Sequence, residues 1–300
     1  MMNPSTRATA VASRAWGCAL MSLMLLSACV SAPPPQPWPE TAPIRFLLSF
    51  DDGPSAKLED NPTRSILDDL ANNPVQPGIK ALFFVQTRAL DGGGSEQGQM
   101  LLRREQRDGH LLGFHTATLG HANHRLLSPF ELQRSLSDGV ADLSAISGVA
   151  PRLVRPPYWN YDPRTFAAYR AHGLRLLLTD LSANDGKTWG FNASLRRRSS
   201  LRGQLARVAE QIQDGALPVV DGVIPLVVTF HDINPYTARH LQEYLQILLD
   251  VAKDVGLTTA AKPFYDQRAA LERAALARTL ADPQPYARLP GLWNWLWNWL

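Results

Sequence analysis

From Ile44 onward the chain alternates short apolar runs with segments whose apolar residues recur at helical spacing. Short runs bounded by polar or Gly/Pro residues read as buried strands, and the 3.6-residue periodicity between them reads as helices. The pattern predicts strands over Ile44–Phe50, Ala81–Gln86, Leu111–Phe114, Leu153–Arg155, Leu174–Thr179, Leu226–Phe230 and Leu257–Ala260. Helix starts are legible between them. Ser128-Pro129-Phe130-Glu131 has a capping residue, a proline in the first turn and a glutamate at the third position, the signature of a capping box. Asp162-Pro163 and Asn234-Pro235 open two more helices in the same way. Seven strand–helix units predict an α/β protein, either a (β/α) barrel or an open doubly wound sheet. No internal repeat is visible in this core.

The first 43 residues follow a different pattern. Arg7 and Arg14 precede an apolar run, Ala15–Leu26, that is too short to span a bilayer comfortably and fits the apolar core of a signal peptide. The run ends in Leu26-Ser27-Ala28-Cys29, which resembles the bacterial lipobox; an ordinary secretory signal with a chance cysteine is the alternative. On this resemblance Cys29 carries the lipid, and Val30, not being Asp, favours the outer membrane of a Gram-negative envelope, facing the periplasm. Ala32–Pro43 is rich in proline and reads as a semi-rigid stalk. The expected organisation is a signal peptide over 1–28, a lipidated cysteine and stalk over 29–43, a catalytic domain over 44–265, and a helical extension with a tryptophan-rich tail over 266–300.

Charge and cysteine content narrow the chemistry. The formal net charge is +3, but Arg7 and Arg14 lie in the expected signal peptide, which leaves +1 for the remainder. A nearly neutral chain has no electrostatic footprint for a phosphate backbone, so nucleic acid is not an expected partner. The only cysteines are Cys18 and Cys29. Any metal site in the main domain must therefore use histidine and carboxylate.

In a β/α architecture, catalytic groups collect in the loops after the carboxyl ends of the strands. Those positions hold Asp51-Asp52-Gly53-Pro54, then His115 with His121 and His124, then Arg155-Pro156-Pro157-Tyr158, then Asp180 and Asp185, and finally His231-Asp232. Four of the seven histidines fall in this set, enough with one carboxylate to hold a divalent cation and leave positions open. Neighbouring strand residues point to opposite sides, so the pair Asp51-Asp52 suggests two roles, one carboxylate on a metal and the other a general base. Arg155 nearby would keep that base ionised.

The order SFDDGP, HT…H, RPPY, D, FHD resembles the polysaccharide deacetylases of the NodB-homology type (carbohydrate esterase family 4), over about residues 44–260. The resemblance implies a distorted (β/α) barrel, a divalent metal (most readily Zn²⁺, with Co²⁺ or similar an alternative), and removal of N-acetyl groups from a GlcNAc-containing polymer. It assigns Asp51 as general base, Asp52 and His115 as metal ligands, and His231 as the acid that protonates the leaving amine. Arg155 would orient Asp51, Asp185 would pair with His231, and the backbone N–H of Tyr158 would help bind the oxyanion.

This sequence departs from the family pattern at several points. The position four residues after His115 is Leu119, whereas His121 is six along and His124 nine along. His121 is the favoured second metal histidine, through a local bulge at Leu119-Gly120, and His124 is the second choice. Asp185 is followed by Gly186 where Trp is usual, with Trp189 three residues on, and Thr229 stands where Leu is usual. Both changes thin the expected apolar wall around the acetyl methyl, so either Trp189 folds back or the acyl group or substrate differs. The run Arg196-Arg197-Arg198 reads as a solvated helix start, with a substrate-facing role as the alternative.

The last nine residues, LWNWLWNWL, hold four of the eight tryptophans, which suggests a second membrane contact beside the lipid, a carbohydrate-stacking strip, or a tail without a catalytic part. The expected activity is therefore deacetylation of an acetylated amino-sugar polysaccharide by a metal-dependent hydrolase. The rivals are an O-acetyl glycan esterase and an inactive carbohydrate-binding lipoprotein of the same fold.

Overall fold

The computed structural model describes residues 41–185 and 196–283. The lipobox-like motif with Cys29, the expected stalk up to Glu40, Trp189 and the tryptophan-rich tail lie outside these residues. The strands are β1 (Ile44–Asp51), β2 (Leu82–Gln86), β3 (Leu111–Thr116), β4 (Leu153–Val154), β5 (Arg175–Leu176), β6 (Leu181–Ser182), β7 (Ile224–His231) and β8 (Thr259–Phe264). They form one sheet in the order β5-β4-β3-β2-β1-β7-β6, with β8 also paired to β1, and every pairing is parallel. Parallel strands need crossovers. The helices are α1 (Pro62–Ala71), α2 (Glu96–Arg107), α3 (Pro129–Ser147), α4 (Pro163–Ala171), α5 (Arg197–Gln213), α6 (Pro235–Asp254) and α7 (Arg268–Ala277). The result is a distorted (β/α) barrel. No helix among the described residues is long and apolar enough to cross a membrane.

The expected helix starts form as capped termini. Ser128 accepts from the Glu131 N–H while the Glu131 carboxylate accepts from the Ser128 N–H, and Asp162 is capped reciprocally with Thr165. Asn234 accepts from the Tyr236 N–H.

Two strands differ from expectation. Leu174–Thr179 does not form one strand, because the chain changes neighbours there: β5 pairs with β4, and β6 pairs with β7. No ladder joins β5 to β6, so the barrel has a seam over residues 177–180. The carbonyls of Leu177 and Leu178 in that seam accept from the Arg155 guanidinium instead, at 3.1 Å each. The last strand starts later, at Thr259, and runs through Lys262 and Pro263; its only sheet partner is β1, and two of its side chains are exposed, so its sequence lacks a continuous apolar run.

Side-chain alternation divides the core. Phe46, Leu48 and Phe50 of β1, with Leu226, Val228 and Phe230 of β7, face the helices. Leu47 and Val227 face the barrel interior with Leu82, Phe84, Leu111, Leu153 and Leu177, where Leu271, Ala274 and Ala275 of α7 pack against them. Going up the interior from this apolar layer, β1 next places Ser49 and then Asp51, and β7 places Thr229 and then His231. The catalytic candidates thus sit above a polar layer, which itself rests on a packed apolar base.

Three of the polar residues considered in the sequence belong to the scaffold. Asp180 accepts from the Val227 N–H at 2.7 Å and is ion-paired with Arg278. Arg197 pairs with Glu243 and Arg198 with Asp250 and Asp254, which ties the start of α5 to α6.

Candidate active site

Asp51 is the last residue of β1, and Asp52 leaves the strand with φ +72°. Strand alternation therefore does not extend to Asp52, and both carboxylates face the same mouth, a difference from the opposed sides expected of neighbouring strand residues. Gly53 is required at the turn, since a Cβ there would lie 2.1 Å from the Asp232 carboxylate. Asp232, on the far side of β7 from His231, is fully buried and accepts from the Thr63 hydroxyl at 2.7 Å. It therefore shapes the turn and does not face the mouth.

Asp52 Oδ1 lies 3.0 Å from His115 Nε2 and 3.2 Å from His121 Nε2, and the two imidazole nitrogens are 3.0 Å apart. His115 Nδ1 donates to the Arg155 carbonyl at 2.7 Å, which orients the ring so that Nε2, once it gives up its proton, offers a lone pair to a cation. Burial opposes ionisation of Asp52, but the His115 hydrogen bond and the surrounding imidazoles hold its carboxyl below the usual range. Burial pushes His121 down to about 4, so at neutral pH its ring is neutral. Two imidazoles and one carboxylate converging on a point are a donor set suited to a zinc-type divalent cation. Leu119, at the shorter spacing, is 69% exposed. His124 is fully buried, with Nδ1 2.9 Å from the Tyr169 hydroxyl and its ring stacked on Phe114, and it is not part of this cluster.

Asp51 sits beside the cluster, 2% exposed. Its Oδ1 accepts from Arg155 Nη1 at 2.8 Å, and the same nitrogen lies 2.8 Å from Ser49 Oγ and 2.9 Å from Thr229 Oγ1. The guanidinium also lies over the Phe84 ring at 4.3 Å. Thr229, expected in the wall of an acyl pocket, is fully buried and uses its hydroxyl to hold Arg155. A buried ion pair survives only with its remaining donors satisfied, and Ser49, Thr229 and the seam carbonyls do this here.

On the other side of the mouth, His231 Nδ1 donates to Asp185 Oδ1 at 2.9 Å, while its Nε2 lies 3.9 Å from Asp52 Oδ2. Asp185 is fully buried and also accepts from the His231 N–H and the Thr237 hydroxyl. Burial alone would lower the His231 pKa, but the Asp185 carboxylate overrides it and raises it to about 10. Tyr158 has φ +59°; its hydroxyl donates to the His121 carbonyl at 3.0 Å, and its ring lies 4.5 Å from that of His121. The structure thus brings Asp51, Asp52, His115, His121, Arg155, Asp185, His231 and Tyr158 to one end of the barrel.

Comparison with known proteins agrees with this geometry. Residues 39–177 match the family described as polysaccharide deacetylase. A peptidoglycan-N-acetylglucosamine deacetylase of Bacillus cereus is 30% identical over 221 residues, 69% of this chain and 69% of that protein. The chain belongs to the polysaccharide deacetylase family. A chitin deacetylase of a Pestalotiopsis species is 28% identical over 145 residues, 48% of this chain, and the match spans only 44% of that relative's length. The solved chitin deacetylase of Colletotrichum lindemuthianum shares the fold, with a TM-score of 0.53 and 24% identity over 73% of this chain and 86% of that one.

One residue in contact with these groups is not among those read from the sequence. Trp159 is 6% exposed and its Nε1–H donates to Asp51 Oδ2 at 3.3 Å. An indole next to the RPPY motif reads as ordinary packing, and the left-handed backbone that turns it inward has no marker in the sequence, since glycine is the usual sign of positive φ.

Proposed function

We propose that this family member is a metal-dependent hydrolase that removes N-acetyl groups from a GlcNAc-containing polysaccharide. The observation that carries the reading is the convergence of Asp52, His115 and His121, with Asp51 and His231 on either side. A divalent cation held by those three side chains would supply Lewis acidity at the acyl carbonyl. Asp51, oriented by Arg155, accepts the proton of the attacking water. His231, kept protonated by Asp185, donates to the departing amine nitrogen, which would otherwise leave as a poor amide anion. The Tyr158 backbone N–H adds a donor for the oxyanion.

Within the same proposal the chain is anchored to the outer membrane through lipidated Cys29 and faces the periplasm, with the tryptophan-rich tail as a second membrane contact. The motif Leu26-Ser27-Ala28-Cys29 is its support. The test of function is acetate release by the zinc-loaded full chain from chitin oligomers, peptidoglycan and an O-acetylated glycan. Release from the N-acetyl polymers is expected. Release from O-acetyl substrates alone would select an esterase, and none from any substrate would leave a binding protein. For the anchor, the wild type should partition with membranes and C29A should not.

A further inference from the structure

We propose that Trp159 is a positioning residue for the general base, its indole N–H fixing the plane of the Asp51 carboxylate. The inference rests on the deacetylase reading above. A carboxylate held through one oxygen still turns about its Cβ–Cγ bond. Here the two oxygens are held by different donors, four residues apart in the segment after β4: Arg155 Nη1 on Oδ1 at 2.8 Å and Trp159 Nε1 on Oδ2 at 3.3 Å. Arg155 is itself braced by Ser49, Thr229 and two seam carbonyls, so it is a fixed pivot. The indole then sets the remaining degree of freedom, the rotation that decides which lone pair faces the mouth.

Indole is well suited to this task. It donates only, so it cannot take the proton that Asp51 must receive, and a carboxylate oxygen with one accepted hydrogen bond retains a second lone-pair site. A water or a hydroxyl in the same place could compete for that proton.

The backbone shows that this placement is imposed. Tyr158 and Trp159 are consecutive non-glycine residues in the left-handed region, with φ +59° and +54°. Each is strained against an ordinary backbone. The turn closes through Trp159 N–H to the Pro156 carbonyl and Asn160 N–H to the Pro157 carbonyl. Its effect is to send two adjacent aromatic side chains to two halves of the site. Tyr158 goes out to the loop that carries His121, and Trp159 goes in to Asp51. An ordinary strand or helix does not address both targets with neighbouring residues.

The test uses the full zinc-loaded chain, with W159F to keep an aromatic ring and delete the N–H. With chitin oligomers as substrate, kcat should fall about ten-fold, as for loss of one hydrogen bond to a charged group. KM should stay within about two-fold and zinc content should be unchanged, because the N–H faces the base and touches neither the substrate nor the metal ligands. An independent arm uses indole ¹⁵N NMR. The Trp159 resonance is the one missing in W159F, and it should shift in D51N. There Arg155 requires the amide oxygen at the Oδ1 position, so the amide NH₂ is turned toward the indole and removes its acceptor. A wild-type kcat in W159F, or a Trp159 resonance indifferent to D51N, would overturn the proposal. A wild-type protein that releases no acetate would instead overturn the deacetylase reading, and the NMR arm would still decide whether the indole is bonded to Asp51.

Discussion

Asp51 and His231 are register partners on the adjacent parallel strands β1 and β7, directly above the pair Ser49 and Thr229. The proposed base and acid are therefore held by the central ladder of the sheet, while the groups that tune them come from elsewhere. Arg155 reaches Asp51 from the end of β4, and Asp185 reaches His231 from the segment after β6.

Replacing Asp51 by Asn should reduce acetate release by roughly 10²–10⁴-fold, the usual scale for loss of a general base. Zinc content should remain at the wild-type level, because the cluster is formed by Asp52, His115 and His121. Elemental analysis beside an acetate assay checks both, and loss of metal in D51N would count against the division of labour between the two carboxylates.

His231 sets a pH dependence. Its pKa is raised to about 10 from an ordinary 6.5, despite burial, by Asp185. A raised pKa means that the pair contributes its full stability below the unfolded value and loses it as pH climbs through the folded value. In metal-free protein the stability gap between wild type and D185N should therefore be largest below pH 6.5 and shrink toward pH 10. Its low-pH size should be roughly 3–5 kcal/mol, the scale for breaking a buried pair. Denaturant titrations across that range measure it, and a constant gap would show that Asp185 acts only through its other hydrogen bonds. In the loaded enzyme, the alkaline limb of kcat should move to lower pH in D185N.

The two histidines after His115 should separate cleanly. H121A removes one of the three proposed ligands and should weaken zinc binding by roughly 100-fold or more. H124A should leave zinc binding intact and cost about 1–3 kcal/mol of stability, since His124 is packed on Phe114 and bonded to Tyr169. Calorimetric zinc titration and thermal melts distinguish the outcomes, and reversed effects would transfer the site to His124.

Thr229 offers a test of the polar layer. T229L removes an acceptor from Arg155 Nη1 and adds volume to a filled interior, so a loss of about 1–3 kcal/mol is expected. T229S keeps the hydroxyl and should retain kcat, whereas T229L should lower it. Equal activity in both would mean that Ser49 and Asp51 suffice to aim the guanidinium.

Much of the architecture was legible because it follows local rules. The apolar runs of β1, β2, β3 and β7 are continuous since these strands are covered on both faces, and the caps at Ser128, Asp162 and Asn234 are defined by side chains within three residues of their partners. The candidate ligands were legible too, because strand ends of a β/α fold meet at one rim. Spacing alone left His121 and His124 open, since a loop of that length can present either ring. His121 is favoured in the sequence by the run that follows it, and the structure covers the His124 ring with Phe114 and Tyr169.

Most of the strands, the capped helix starts, the residue types of the site and their order at the strand ends could be read along the chain. Those follow from periodicity and from chemistry that is local in the chain. The folded chain alone shows that Leu174–Thr179 is split across a seam, that Thr229 serves Arg155, and that Trp159 turns in to Asp51. Each of these depends on a hydrogen-bond partner tens of residues away or more, and neither propensity nor spacing records where such a partner will be.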